Sequence, residues 1–251
     1  MNPPVLPLQQ KIKLLFAYQG SSFLGWQKTP HGKSIEEELE RAFSQILRHS
    51  ISFSVASRTD AGVHAEGQIA HFCTHSLLSL QRIHKSANAL LPKEISILLL
   101  ERVPPSFHAT LDCRRKEYHY ALCLNKVQLP FHRNFSWHFP HSIDLNKMQK
   151  AAAFLIGKHD FSAFTSEERE DYSREIFAIN FESLPYNRLI IKVMGDNFLY
   201  RMVRNIVGTL LYIGTGKLSE ISSILESRDR TKAGVTAPAH GLILKQVFYD
   251  P

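Results

Sequence analysis

The chain has 251 residues, 44% of them hydrophobic, which is enough apolar side chain for one large domain or two compact ones and excludes a cysteine-stapled miniprotein or a disordered tail. Thirty basic residues against twenty-three acidic ones leave a net charge of +7, a balance that favours contact with a polyanion or an acidic surface. The three cysteines, Cys73, Cys113 and Cys123, are odd in number and far apart, so they form neither a secreted disulfide framework nor a thiolate metal cluster and fit a reducing cytoplasm.

The first ten residues, MNPPVLPLQQ, carry no basic segment and no continuous apolar run, so no leader is expected, and no later stretch reaches the roughly eighteen apolar residues of a membrane span. KIKLLFAY at 11 to 18 alternates as a strand and runs into Gly20, Ser21 and Ser22, after which Phe23, Gly25 and Trp26 place aromatic side chains in a loop. The plain expectation is that both rings pack at the edge of the core. Ser34 and Glu37 form a capping-box pattern ahead of Ile35, Leu39, Phe43, Ile46 and Leu47 at helical spacing, one amphipathic helix with its apolar stripe on a sheet. ISFSVA at 51 to 56 and QIAHFC at 68 to 73 have strand composition and enclose the polar connector SRTDAGVHAEG. Such a connector, held by strands at both ends, is where a scaffold can present a reactive group.

Leu80 to Leu90 is a predicted helix stopped by Pro92, and ISILLLERV at 95 to 103 a predicted strand that ends in Pro104 and Pro105. RRKEYHYALCL follows as a basic opening that becomes a strand, then a loop around Pro130 and a helix from Asp144 to Ile156. Strands at 176 to 181 and 189 to 193, a helix through Arg201 to Ile213, a shorter helix near Leu218 to Leu225 and a strand LILKQVFY at 242 to 249 complete the chain. The order implies α+β layers. Two halves of similar make-up, 1–105 and 106–251, are the expected domains.

Arg58, Asp60 and His64 set a cation, a carboxylate and an imidazole within one loop, and Gly62 permits a backbone shape barred to other residues. Taken alone, such a loop is either a solvated turn with a local ion pair or a site in which Asp60 is a nucleophile or base and Arg58 contacts phosphate or a base edge. In NFLYRMVRNIVG, Arg201 and Arg204 stand three apart in an otherwise apolar helix, where a buried cation needs a partner; a carboxylate such as Asp60 would meet that need. Arg114, Arg115 and Lys116 precede Tyr118 and Tyr120, which alternate along a strand. Basic groups there can hold phosphates while a ring stacks on a base, or the segment is simply a half-buried strand with a solvated start.

Thirteen histidines invite a metal assignment, but no HExxH helix occurs and the spacing of His64 and His71 matches no ligand pattern. GxGxxG, GxxxxGK[ST], the GxSxG elbow and the HxE with PCxxC of zinc deaminases are all absent. A carboxylate, arginines and tyrosines remain, a sufficient inventory for breaking and remaking a glycosidic bond.

Six blocks in order, YQGSSFLGWQ at 18 to 27, SRTDAGVHAEGQIAHF at 57 to 72, RRKEYHY at 114 to 120, GKHDFSAF at 157 to 164, FLYRMVRNIVGTLLYIGTGK at 198 to 217 and TAPAHGLILKQVFY at 236 to 249, resemble those of the tRNA pseudouridine synthase A family. The resemblance implies the pseudouridine synthase fold: two ferredoxin-like halves forming one extended mixed sheet with a basic cleft between them. It further implies a cytoplasmic homodimer that binds the anticodon stem-loop of tRNA, converts uridine to pseudouridine at positions 38, 39 and 40, and uses neither metal nor organic cofactor. No membrane and no other protein partner are implied.

Carried onto this chain, the resemblance makes Asp60 the catalytic aspartate, acting at the ribose by attack on C1′ or by proton removal. Arg58 helps extrude the target uridine, Tyr118 stacks on the flipped base, Arg204 pairs with Asp60, and Leu242 closes the apolar side of the base pocket. Lys116 and Arg201 are expected to touch the RNA backbone. Ser57, Gln19, Thr110 and Glu117 depart from the family's usual residues, Thr110 where an arginine is usual, which bears on phosphate contacts and not on reaction class. Two rivals differ in outcome: a non-catalytic tRNA-binding protein, and a synthase of the same fold acting on another RNA.

Overall fold

The computed structural model describes residues 9–250, so the leader pattern sought in residues 1–10 falls, for residues 1–8, outside the described residues. The chain divides into two compact units. One runs up to Arg114 and includes the chain from Val247 onward; the other spans Arg115–Gln246. Each unit combines helices with an open sheet, the α+β architecture expected. Among the described residues no helix is long and apolar enough to cross a membrane.

In the first unit, β1 (Gln10–Tyr18) lies between β3 (His64–Thr74) and β4 (Ile95–Val103), antiparallel to both, and β2 (Ser54–Val55) pairs with β3. Period-2 alternation buries Ile12, Leu14, Phe16 and Tyr18 on one face of β1. α1 (Ile35–Leu47) and α2 (Leu80–Leu90) supply the buried stripes Ile35, Leu39, Ala42, Phe43 and Leu47, and Ile83 and Ala87. Ser34 caps α1 as its sequence predicts, its Oγ accepting from the Glu37 N–H at 3.2 Å. Phe43, Phe53 and Phe72 meet edge to face with centroids 5.2–5.3 Å apart, each pair worth about 1 kcal/mol beyond the burial of its rings.

The strand expected at 51–56 shrinks to two residues because Ile51 and Phe53 are buried by packing and not by a ladder, while β3 begins four residues before its predicted start. The diproline connector is firmly held. Lys11 Nζ donates to Phe107 O at 2.8 Å, Thr110 Oγ1 to Val55 O at 2.7 Å, and Tyr249 Oη to Ala109 O at 2.7 Å. The Ala109 N–H donates to His71 Nδ1 at 3.2 Å.

Burial, His108 and Lys11 together push the His71 imidazole down to about 4, against a partial pull upward from Asp112. The unfolded chain therefore binds a proton below about 6.5 that the folded chain refuses until about 4. The stability this site contributes is complete above 6.5 and is lost as pH falls through that window. Chemical denaturation from pH 7 to 4 is expected to show a stability slope that flattens in His71→Gln; an unchanged slope would rule His71 out as its source.

In the second unit the strand order is β10-β5-β9-β8-β7, comprising β5 (Cys113–Cys123, whose first two residues belong to the first unit), β7 (Gly157–Asp160), β8 (Ser173–Leu184), β9 (Arg188–Gly195) and β10 (Leu242–Tyr249, whose last three residues belong to the first unit). β6 (Trp137–His138) runs parallel to β5, and β9 antiparallel to it, so this sheet is mixed. α3 (Leu145–Ala153), α4 (Met202–Gly214) and α5 (Ile221–Ser227) pack on one another. Eleven of the thirteen residues of α4 are buried, as its all-round apolar composition requires.

Arg201 does not lie in that helix, contrary to the sequence expectation. It takes a left-handed conformation (φ 58°) as the residue before the first turn, so Arg201 and Arg204 do not share a helical face.

Candidate active site

Asp60 begins a tight turn between β2 and β3. The Val63 N–H donates to Asp60 O at 3.1 Å, and Gly62, at φ +82°, supplies the left-handed residue the turn needs. Arg58 is exposed, Thr59 buried and Asp60 half-buried. The turn rests on the 18–26 loop. The Trp26 N–H donates to Thr59 O at 3.0 Å, the Gly20 N–H donates to His64 Nδ1 at 3.0 Å, and Phe23 and Trp26 are both buried, as the plain expectation for these rings holds. Tyr18 Oη lies 2.7 Å from Thr59 Oγ1, and burial pushes its phenol up to about 12 despite the hydrogen bonds it shares with Thr59 and Gln68.

The other five predicted residues lie in the second unit. Lys116, Tyr118 and Tyr120 alternate on one face of β5, and all three are buried. Tyr118 packs edge-on against Phe198 with centroids 5.3 Å apart. Lys116 is 4% exposed and its ammonium donates to Asn197 Oδ1 at 2.8 Å, the same alternation that buries Tyr118 having turned it inward. Arg201 is exposed, with its guanidinium 4.6 Å from the Tyr200 ring centroid.

Arg204 and Leu242 are tied to one segment, residues 235–242. Arg204 Nε donates to Ala237 O at 2.8 Å and the Ala237 N–H to Arg204 O at 3.2 Å. Tyr120 Oη donates to Pro238 O at 2.8 Å, and burial pushes that phenol far above its usual range while the nearby Arg204 pulls it back. A Cβ on Gly241 would stand 2.6 Å from the Tyr120 ring, so only glycine fits before buried Leu242.

Sequence reasoning missed the group that fastens this segment. Arg230 donates to Asn205 Oδ1 and Thr236 Oγ1, both at 2.9 Å, and to Gly234 O at 3.0 Å, while the 1%-exposed Asn205 donates to Phe164 O at 2.7 Å. A polar Asn205 inside the apolar VRNIVG run was the available signal.

A family model described as tRNA pseudouridine synthase matches residues 14–112 and 151–250. Two proteins of Protochlamydia amoebophila (strain UWE25) are similar over nearly their whole length. Its tRNA pseudouridine synthase A 2 is 53% identical, covering 96% of this chain and 94% of that protein; its tRNA pseudouridine synthase A 1 is 42% identical, covering 95% and 96%. The tRNA pseudouridine synthase A of Bacillus pumilus (strain SAFR-032) is 40% identical, covering 96% and 99%. The chain belongs to the tRNA pseudouridine synthase A family. Arg58, Asp60, Arg201, Arg204 and Leu242 fall in stretches that the family model matches, whereas Lys116 and Tyr118 lie between them, within the span aligned to the relatives.

Proposed function

We propose that this chain isomerises uridine to pseudouridine in the anticodon arm of tRNA, at positions 38, 39 and 40, as a cytoplasmic homodimer that needs neither metal nor organic cofactor. Membership of the family, with the Asp60 turn inside a matched stretch, carries the reading. The net charge of +7 suits a polyanionic substrate.

The reaction conserves every atom of the nucleoside but one exchanged hydrogen. The N1–C1′ bond breaks, uracil turns, a C5–C1′ bond forms, the C5 hydrogen leaves to solvent and N1 regains a proton. In this reading Asp60 acts at the ribose and exposed Arg58 takes the place of the extruded uridine. Tyr118 stacks on the flipped base, whose unstacking costs a few kcal/mol. Leu242 closes the apolar side of the pocket, Arg204 is the cation that the resemblance assigns to the Asp60 carboxylate, and exposed Arg201 serves the RNA, whereas Lys116, turned inward to Asn197, is left out of that contact.

The test is tritium release from tRNA transcripts labelled at uridine C5, with no added metal. Release is expected from the parent transcript and is expected to vanish when the uridines at 38, 39 and 40 are replaced by cytidine. Release that persists from the substituted transcript would move the target elsewhere, and tight binding without any release would point to a tRNA-binding protein.

A further inference from the structure

The 18–26 loop takes no part in the proposed chemistry, yet its backbone touches the Asp60 turn. A Cβ on Gly20 would stand 1.9 Å from Val63 O, and one on Gly25 2.7 Å from Thr59 O, so both contacts exist only because these residues are glycine. Beside them three polar side chains are almost wholly shielded: Tyr18 is 4% exposed, Thr59 8% and Gln68 0%.

Every polar atom of Gln68 is engaged. Its Nε2 donates to Ser57 O at 2.7 Å and to Tyr18 Oη at 3.2 Å, and its Oε1 accepts from the Ile69 N–H at 3.2 Å, which fixes the amide orientation. Tyr18 Oη, having accepted from Gln68, also shares a hydrogen bond with Thr59 Oγ1, 2.7 Å away. The chain of bonds therefore grips the backbone on one side of Arg58 at Ser57 and the side chain on the other at Thr59, next to Asp60. Its two anchors sit on strands, and the β1–β3 register slips between Phe16 and Tyr18, a bulge of the kind that re-aims a side chain.

We propose that Tyr18 and Gln68 are positioning residues for the isomerisation: through Ser57 and Thr59 they set the turn so that the Asp60 carboxylate meets the ribose. This rests on the reading of Asp60 as the group that acts there. A displacement near 1 Å at a reacting group costs about 100-fold in rate, without weakening contacts to the rest of the tRNA.

Tyr18→Phe, Thr59→Val, their double variant, Thr59→Ser and Asp60→Asn are compared by tritium release over a range of tRNA concentrations, with melting recorded for each. Tyr18→Phe and Thr59→Val are each expected to lower kcat about 10- to 100-fold with KM within about twofold of the parent. The double variant is expected to fall no lower than about threefold below the worse single, because both remove the same bond, and Thr59→Ser, which keeps the hydroxyl, to recover most of the turnover lost in Thr59→Val. Parent-like kcat in both singles, losses that multiply in the double, or a loss confined to KM would overturn the proposal. Should Tyr18→Phe fail to fold, Gln68→Met at similar volume carries the same expectation. An inactive Asp60→Asn beside parent-like Tyr18→Phe and Thr59→Val defeats the positioning chain alone, whereas an active Asp60→Asn defeats the reading of Asp60 and the chain with it.

Discussion

Asp60→Asn is expected to bind tRNA as tightly as the parent and to lose turnover by a factor on the order of 10³ or more. Asparagine keeps the size and planarity of the side chain, and the main-chain features of the turn stay as they are: the Val63 N–H bonds the main-chain oxygen of Asp60, and Gly62 supplies the left-handed residue. What disappears is the anion that the proposed function places at the ribose. Single-turnover tritium release beside filter binding separates the two effects. Residual turnover within tenfold of the parent would remove Asp60 from the chemistry.

Gly208→Ala is expected to destabilise the second unit by about 3 kcal/mol, with a fall in melting temperature of roughly 6–12 °C. Helix propensity alone gives the opposite sign, since alanine in place of glycine inside a helix stabilises by about 1 kcal/mol. Contact decides the outcome. A Cβ on Gly208 would stand 1.7 Å from Val235 O, and one on Gly234 2.7 Å from Gly208 O, so the neighbours are main chain and no flexible side chain is available to yield. The segment that must shift holds Ala237, the partner of Arg204, and leads into Leu242, so turnover is expected to fall together with stability. A calorimetric midpoint equal to or above the parent's would refute the steric account.

Local signals were the legible part of the sequence. The Ser34 cap, the stripes of α1 and α2 and the limits of β10 follow from spacing and capping chemistry, and the Asp60 turn from a glycine among polar residues. β6 and β7, two and four residues long, carry too little alternation to be read. Arg201 illustrates a different limit: an arginine in an apolar run scores as helical, and only tertiary packing sets it in a left-handed conformation ahead of the first turn. Lys116 illustrates another, its place in a basic run suggesting solvent while strand alternation turns it inward to Asn197. Gln68 had a strand signal but no sign of its hydrogen-bonding role, because its partners Tyr18 and Ser57 are 50 and 11 residues away in the chain.

The first unit is not contiguous in the chain. Tyr249 bonds to Ala109 across 140 residues, Phe107 packs against the Tyr249 ring, and Arg114 pairs with Asp250 at 2.7 Å. During synthesis the Asp60 turn therefore emerges early, while the unit that carries it lacks its last contacts until Val247 to Asp250 have been made. A growing polypeptide arrested before Val247 would present an incompletely closed first unit, open to proteases and to aggregation for as long as the second unit takes to be made.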